Sequence, residues 1–229
     1  MTVKTNMKTD KKTRMIAVAV IVSIMCLGAF AKAEDSAGDL AKAAQNTVGD
    51  LISVPFQFNV NFGVGPDDNE QSVLNIQPVY PMSLNEDWNF IARTIFPVIS
   101  QPQVVPGGDR ETGLGDINFQ GFFSPQESGK IIWGAGPALS LPTATDDVLG
   151  TEKWSAGPAA VALTMNGPWV YGALVQNVWS FAGDDDRGHV SQFLVQPFGN
   201  YNLPDGWYLS SAPSITANWA AHDNDDRWT

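Results

Sequence analysis

The sequence predicts an all-β protein: an antiparallel, up-and-down β-barrel of the transmembrane type, preceded by a short amphipathic helix. Three observations carry this. From Val54 onward, apolar and polar residues alternate with period two in segments of about ten residues. The connections between the segments alternate between short and long. Tryptophans gather at the segment ends and are rare in the middles.

The N-terminus has to be set apart first. Lys4, Lys8, Lys11, Lys12 and Arg14 form a basic start, Met15 to Phe30 follows without a charge, and Ala31-Lys32-Ala33 puts small residues where a signal peptidase reads. The uncharged run has 16 residues, short of the roughly 20 that a membrane-crossing helix needs. The expectation is a secretory signal over 1–33, cleaved after Ala33. Residues 34–229 then carry 7 basic against 23 acidic residues, a formal net charge of −16. Such a surface repels nucleic acid and offers no polybasic membrane anchor. Cys26, the single cysteine, lies inside the signal. The remainder therefore can form neither a disulfide nor a thiolate metal site. After Ala33 no uncharged apolar run is long enough for a spanning helix, so membrane insertion would have to use a barrel.

Residues 34–53 read as the helix. Leu40, Ala43, Ala44, Val48, Leu51 and Ile52 recur at spacings of three and four, with Asp39, Lys42, Gln45 and Asn46 on the other side. The segment is placed either in the lumen as a plug or outside it in the periplasm. The barrel follows over 54–229. Its first strand sets Phe56, Phe58, Val60, Phe62 and Val64 against Gln57, Asn59, Asn61 and Gly63. Further segments are 73–82, 88–99, 114–123, 131–142, 154–165, 169–181, 190–203 and 207–219. In 131–142 and 169–181 polar residues are too few to assign the faces. Short turns fall at Ser83–Asp87, Ser124–Gly129, Asn166–Pro168 and Pro204–Gly206. Longer loops fall at Gly65–Ser72, Ser100–Gly113, Thr143–Lys153, Ala182–His189 and Ala220–Asp226.

Trp88, Trp169 and Trp207 follow short turns, whereas Trp154, Trp179, Trp219 and Trp228 sit beside long loops. They are candidates for an aromatic girdle at each interface. The long loops hold 14 of the 23 acids of 34–229; they read either as oxygen ligands for divalent cations near lipopolysaccharide phosphates or, as preferred, as solvated loop tips, because none has the twelve-residue spacing of a calcium-binding loop. A weak repeat relates Gly167-Pro-Trp169 through Arg187 to Asp205-Gly-Trp207 through Arg227, one hairpin apart.

For chemistry there is little. His189 and His222 lie in loops; His189, Ser191 and Asp186 are close in sequence, but a triad requires hydrogen-bond reach and not proximity. No Gly-x-Ser-x-Gly occurs, no zinc set is available, and Gly107-Gly108 and Gly113-Leu-Gly115 read as turns. No cofactor or metal is called for. The lumen candidates are Gln57, Asn59, Asn61, Asn75, Gln77, Arg93, Asp116, Asn118 and Gln120, by parity within their strands. Arg93 and Asp116 are the charged ones, read either as setters of pore selectivity or as a structural ion pair.

Leu51-Ile-Ser-Val-Pro-Phe-Gln57, Leu74-Asn-Ile-Gln-Pro78, Ser83-Leu-Asn-Glu-Asp-Trp88, Gly113-Leu-Gly-Asp116, Leu141-Pro-Thr-Ala-Thr-Asp146 and Asn177-Val-Trp-Ser-Phe-Ala-Gly183 resemble a family of bacterial outer-membrane proteins. Its members are often labelled "transporter" or "neuromedin U", and they are related to the barrels of phenol-degradation pathways. The resemblance covers most of 40–229. It implies a barrel of about a dozen strands in the Gram-negative outer membrane, in contact with its lipid and lipopolysaccharide, with a transport role and no catalytic residues to carry over. This chain departs from the pattern at Arg227-Trp-Thr229, where a tenth strand begins and the aromatic-ended closing strand is missing. The expectation is nine to ten strands here and twelve in the complete protein. Three functions stay open: a passive pore or transporter for small molecules, which is preferred; a lipid-active barrel enzyme using His189; and a structural or surface-binding barrel with a blocked lumen.

Overall fold

The computed structural model describes residues 22–24, 37–46, 48–65, 67–103 and 108–221. Most of the 1–33 stretch, with Gly107, His222, Asp223, Asp225, Asp226 and Trp228, lies outside the described residues. The elements are β1 (Val22–Ile24), α1 (Ala37–Gln45), β2 (Phe56–Val64), β3 (Asn69–Ile76), β4 (Val79–Ser83), β5 (Trp88–Gln101), β6 (Glu111–Leu114), β7 (Ile117–Pro125), β8 (Ile132–Leu141), β9 (Lys153–Asn166), β10 (Trp169–Gly183), β11 (Ser191–Asn202), β12 (Tyr208–Ser211) and β13 (Ile215–Asn218).

All strands join one antiparallel sheet that follows chain order, a meander. Three strands are interrupted. β3 and β4 run end to end along β5, as do β6 and β7, while β12 and β13 run along β11. Pro78 and Pro213 lie in two of the breaks, where a residue without an N–H cannot serve the ladder. At the third break Gly115 N still reaches Pro97 O at 2.8 Å. Merged in this way, the described residues give nine long strands plus β1, in the places that the alternation marked.

The sheet is strongly curled into a half-barrel. Among the described residues, its first edge, β2, has only the three residues of β1 beyond it, and its last, β12 with β13, pairs with β11 alone. No ladder joins the two edges among the described residues. The all-β expectation holds in this coarser form.

Two readings need correction. Gly65–Ser72 is not a long loop: β3 begins at Asn69, and the connection is a tight turn in which Gly65 and Asp68 take positive φ of 79° and 52°. Glycine carries the first of these without strain. The helix is also shorter than 34–53. Asn46 Oδ1 accepts from Val48 N at 3.2 Å, a local bond that competes with helix continuation. Leu51 and Ile52 lie outside α1. Its buried side is Ala41 and Gln45, so a residue read as outward-facing points inward.

The concave face carries the core. Ile91, Phe122, Leu163 and Val170 are almost fully buried there, with Val161, Leu174 and Val178 beside them. Val48, just after α1, packs into the same cluster. The apolar interior strip on β8 to β10 explains why 131–142 and 169–181 look apolar on both faces.

Phe122→Ala should destabilise the fold by about 3–5 kcal/mol, since the site is fully enclosed and cannot collapse readily; urea titration of the refolded protein followed by circular dichroism measures it.

Candidate functional site

A strand alternates its side chains between faces, so the curl gathers every second residue into one space. Eight of the nine sequence candidates meet there. Gln57, Asn59 and Asn61 come from β2, Asn75 from β3, Gln77 from the β3–β4 break, Arg93 from β5, and Asn118 and Gln120 from β7. They line a cleft of about 960 Å³. Ser210 of β12 and Thr216 of β13 border the same space, so the curl brings both sheet edges to one opening.

The polar side chains form a connected belt. Arg93 is its centre: Nη1 donates to Gln120 Oε1 at 2.7 Å and Nη2 to Gln77 Oε1 at 2.5 Å. Gln77 Nε2 passes the chain to Gln57 Oε1 at 2.8 Å, and Gln57 Nε2 to Asn59 Oδ1 at 3.1 Å. In the other direction Gln120 Nε2 donates to Gln176 Oε1 at 2.6 Å. That last bond crosses the interior. Gln120 is on β7 and Gln176 on β10, with β8 and β9 between them along the sheet. At this level the intervening strands present only Ala138 and Ala159, both buried. Small side chains there leave the room in which the two amides meet. A second group, Asn61 to Gln71 at 2.7 Å and Gln71 to Gln101, lines the side nearer the loops.

Sequence reasoning missed Gln176 and Gln71. Gln176 sits in a strand whose polar residues are too few to assign its faces, and Gln71 falls in Gly65–Ser72, which the sequence marks as a loop. The parity reading of β2 also ends early. A register shift follows Asn61, Gly63 has φ 73°, and Phe62 and Val64 turn toward the cleft instead of continuing the outer stripe.

Asp116 is the ninth candidate, and it is not in the cleft. It is buried at the β6–β7 break, where Oδ2 accepts from Thr151 N and Thr151 Oγ1, each at 2.7 Å, and Oδ1 from Ala144 N at 3.3 Å. It therefore anchors the 142–152 loop and makes no ion pair with Arg93. The reason is the Gly115-Asp116 break, which carries the side chain beyond the ladder. Arg187 ties the next loop to this one. It donates to Asp147 O at 2.9 Å and Gly150 O at 2.7 Å, and its Nε lies 3.1 Å from Glu152 Oε2. Glu152 is held above the ordinary carboxylate range, by desolvation first and then by Asp147, with Arg187 pulling the other way.

At the short-turn end the interior is covered. Lys42 Nζ reaches Gly167 O at 2.8 Å, Gln45 Nε2 reaches Asn202 Oδ1 at 2.8 Å, and Asn89 Nδ2 reaches Asp50 Oδ1 at 2.8 Å. These bonds lay α1 and the following residues across the strand ends.

The convex face is the opposite of the cleft. Trp88, Trp154, Trp169, Trp179, Trp207 and Trp219 are all exposed, from 37% to 75%. Trp133, not foreseen, joins Trp88 edge to face at 6.0 Å. Phe58, Phe123, Tyr171 and Leu209 are exposed between the two tryptophan levels. His189 is exposed, and no hydrogen bond joins it to Ser191 or Asp186. Among the described residues no three His, Cys, Asp or Glu side chains are grouped as metal ligands.

Comparison with protein-family models, with curated proteins and with solved structures finds no match to this chain.

Asp116→Asn should cost about 1–3 kcal/mol, because an amide NH₂ placed against the Thr151 donors leaves buried groups unsatisfied. It should leave the cleft unchanged. A lower denaturation midpoint with unaltered solute binding would match; an altered cleft with intact stability would not.

Proposed function

We propose that the curled sheet belongs to a closed transmembrane β-barrel of about twelve strands in a Gram-negative outer membrane, and that it passes small solutes passively through its polar interior. The observation that carries this reading is the inversion of faces. Amides and one guanidinium are gathered inside, while large apolar and aromatic side chains stand exposed outside. A soluble sheet of this size would hide the second face; lipid is the solvent that accepts it. The tryptophans at both strand ends fit the two membrane interfaces. Among the described residues no ladder joins the two edges, which supports further strands between them, since an open edge in lipid leaves backbone groups unsatisfied at a cost of several kcal/mol each. The basic-apolar-small pattern of residues 1–33 supports export, and the family resemblance points the same way.

One observation favours a second reading, a structural or surface-binding barrel with a blocked interior. The α1 segment and Val48 cover the short-turn end.

The first test is refolding of the full gene product in detergent. A closed barrel runs faster unheated than boiled on a gel, with β-type circular dichroism before heating. No shift, in a protein that stays soluble without detergent, removes the membrane reading. Flux separates the remaining two. Liposomes carrying the protein should release small sugars, and deletion of 37–46 should raise that flux several-fold if α1 partly occludes the path. Flux of zero in both forms supports the blocked barrel.

A further inference from the structure

Among the described residues, Arg93 is the only charged side chain lining the cleft. Its two partners, Gln77 and Gln120, are neutral amides, and Asp116, the nearest acid in the strand pattern, is committed to Thr151 and Ala144 instead. Arg93 is half-buried in the cleft wall without a counter-charge; a guanidinium so placed is costly, and such groups inside membrane proteins mark substrate paths. The belt is polarised accordingly: both amide oxygens turn toward Arg93, and their NH₂ groups donate onward to Gln57 and Gln176. Of the five guanidinium N–H groups, two are used; a planar fork with free donors matches a carboxylate or phosphate. The lining of the same cleft also includes the aliphatic side chains of Ile95, Leu174 and Leu194.

We infer that Arg93, with Gln77 and Gln120 as its fixed supports, is a binding site for the carboxylate of a small solute whose apolar tail lies on Ile95, Leu174 and Leu194. This deepens the pore reading and rests on it, since the solute enters through the same cleft. The acidic long loops do not oppose it at physiological ionic strength, where charge interactions between exposed groups are screened beyond roughly 8 Å. The guanidinium supplies the counter-charge that the carboxylate lacks, and the aliphatic lining supplies what free phosphate cannot use.

The test uses the full chain refolded in detergent, with hexanoate, hexanamide and inorganic phosphate titrated in separate calorimetry runs. Hexanoate should bind at least about tenfold more tightly than hexanamide, the scale of a hydrogen bond to a charged group, and more tightly than phosphate. Arg93→Gln, checked for folding by its heat-shifted gel band, should lose that preference; Arg93→Lys should keep part of it. Equal affinity for hexanoate and hexanamide in the unaltered protein overturns the inference whether or not any variant folds. Phosphate binding as tight as hexanoate overturns the tail assignment and leaves a general oxyanion site. Channel recordings in planar bilayers keep the two readings apart. Conductance without carboxylate preference removes this site and spares the pore. Hexanoate binding without conductance removes the pore and leaves a carboxylate-binding barrel.

Discussion

The curl of one antiparallel sheet is the constraint on which the rest depends. A strand has two faces and no third direction, and curvature makes those faces unequal: one becomes a crowded interior and the other an expanded exterior. The bond between Gln120 and Gln176 shows how far the curl goes. Adjacent strands lie about 4.8 Å apart, and three such steps separate β7 from β10 along the sheet, yet the two side chains touch across the chord. Small residues on β8 and β9 make the approach possible. Larger ones at Ala138 and Ala159 would fill the chord and hold the strands further apart.

From that constraint the interior divides into two zones. Near the short turns it is packed with Ile91, Phe122, Leu163 and Val170, and Val48 closes it. Toward the loops it is open and lined by amides around Arg93. The packed zone gives the half-barrel a conventional apolar core, while the amides of the open zone satisfy one another and need no counter-ion. Arg93 is the exception within that zone, and it is the residue whose chemistry has not been completed by the protein itself.

The loop end is organised by different means. Asp116, Thr151, Arg187 and Glu152 join two connections into one unit. Here carboxylates and a guanidinium act as fasteners between loops, and the same residue types serve as lining or as anchors according to whether the ladder continues beneath them.

What the sequence alone determined is the alternation: nine strand positions, the tryptophans at both strand ends, and eight side chains that share the cleft. These are local consequences of period two, so one strand suffices to read them. Where the parity breaks, at Gly63 and at Gly115-Asp116, local reading fails, because a bulge or an interruption reverses the face without changing composition. Strands apolar on both sides were equally opaque, since a core-facing and an outward-facing residue are then of the same type. Tertiary structure alone decided the rest: that Gln176 meets Gln120, that Gln45 faces inward, that Asp116 belongs to a loop, and that Arg93 is left with amides. Each of these depends on which distant strand the curl brings opposite, and that is a property of the curled sheet and of no single segment within it.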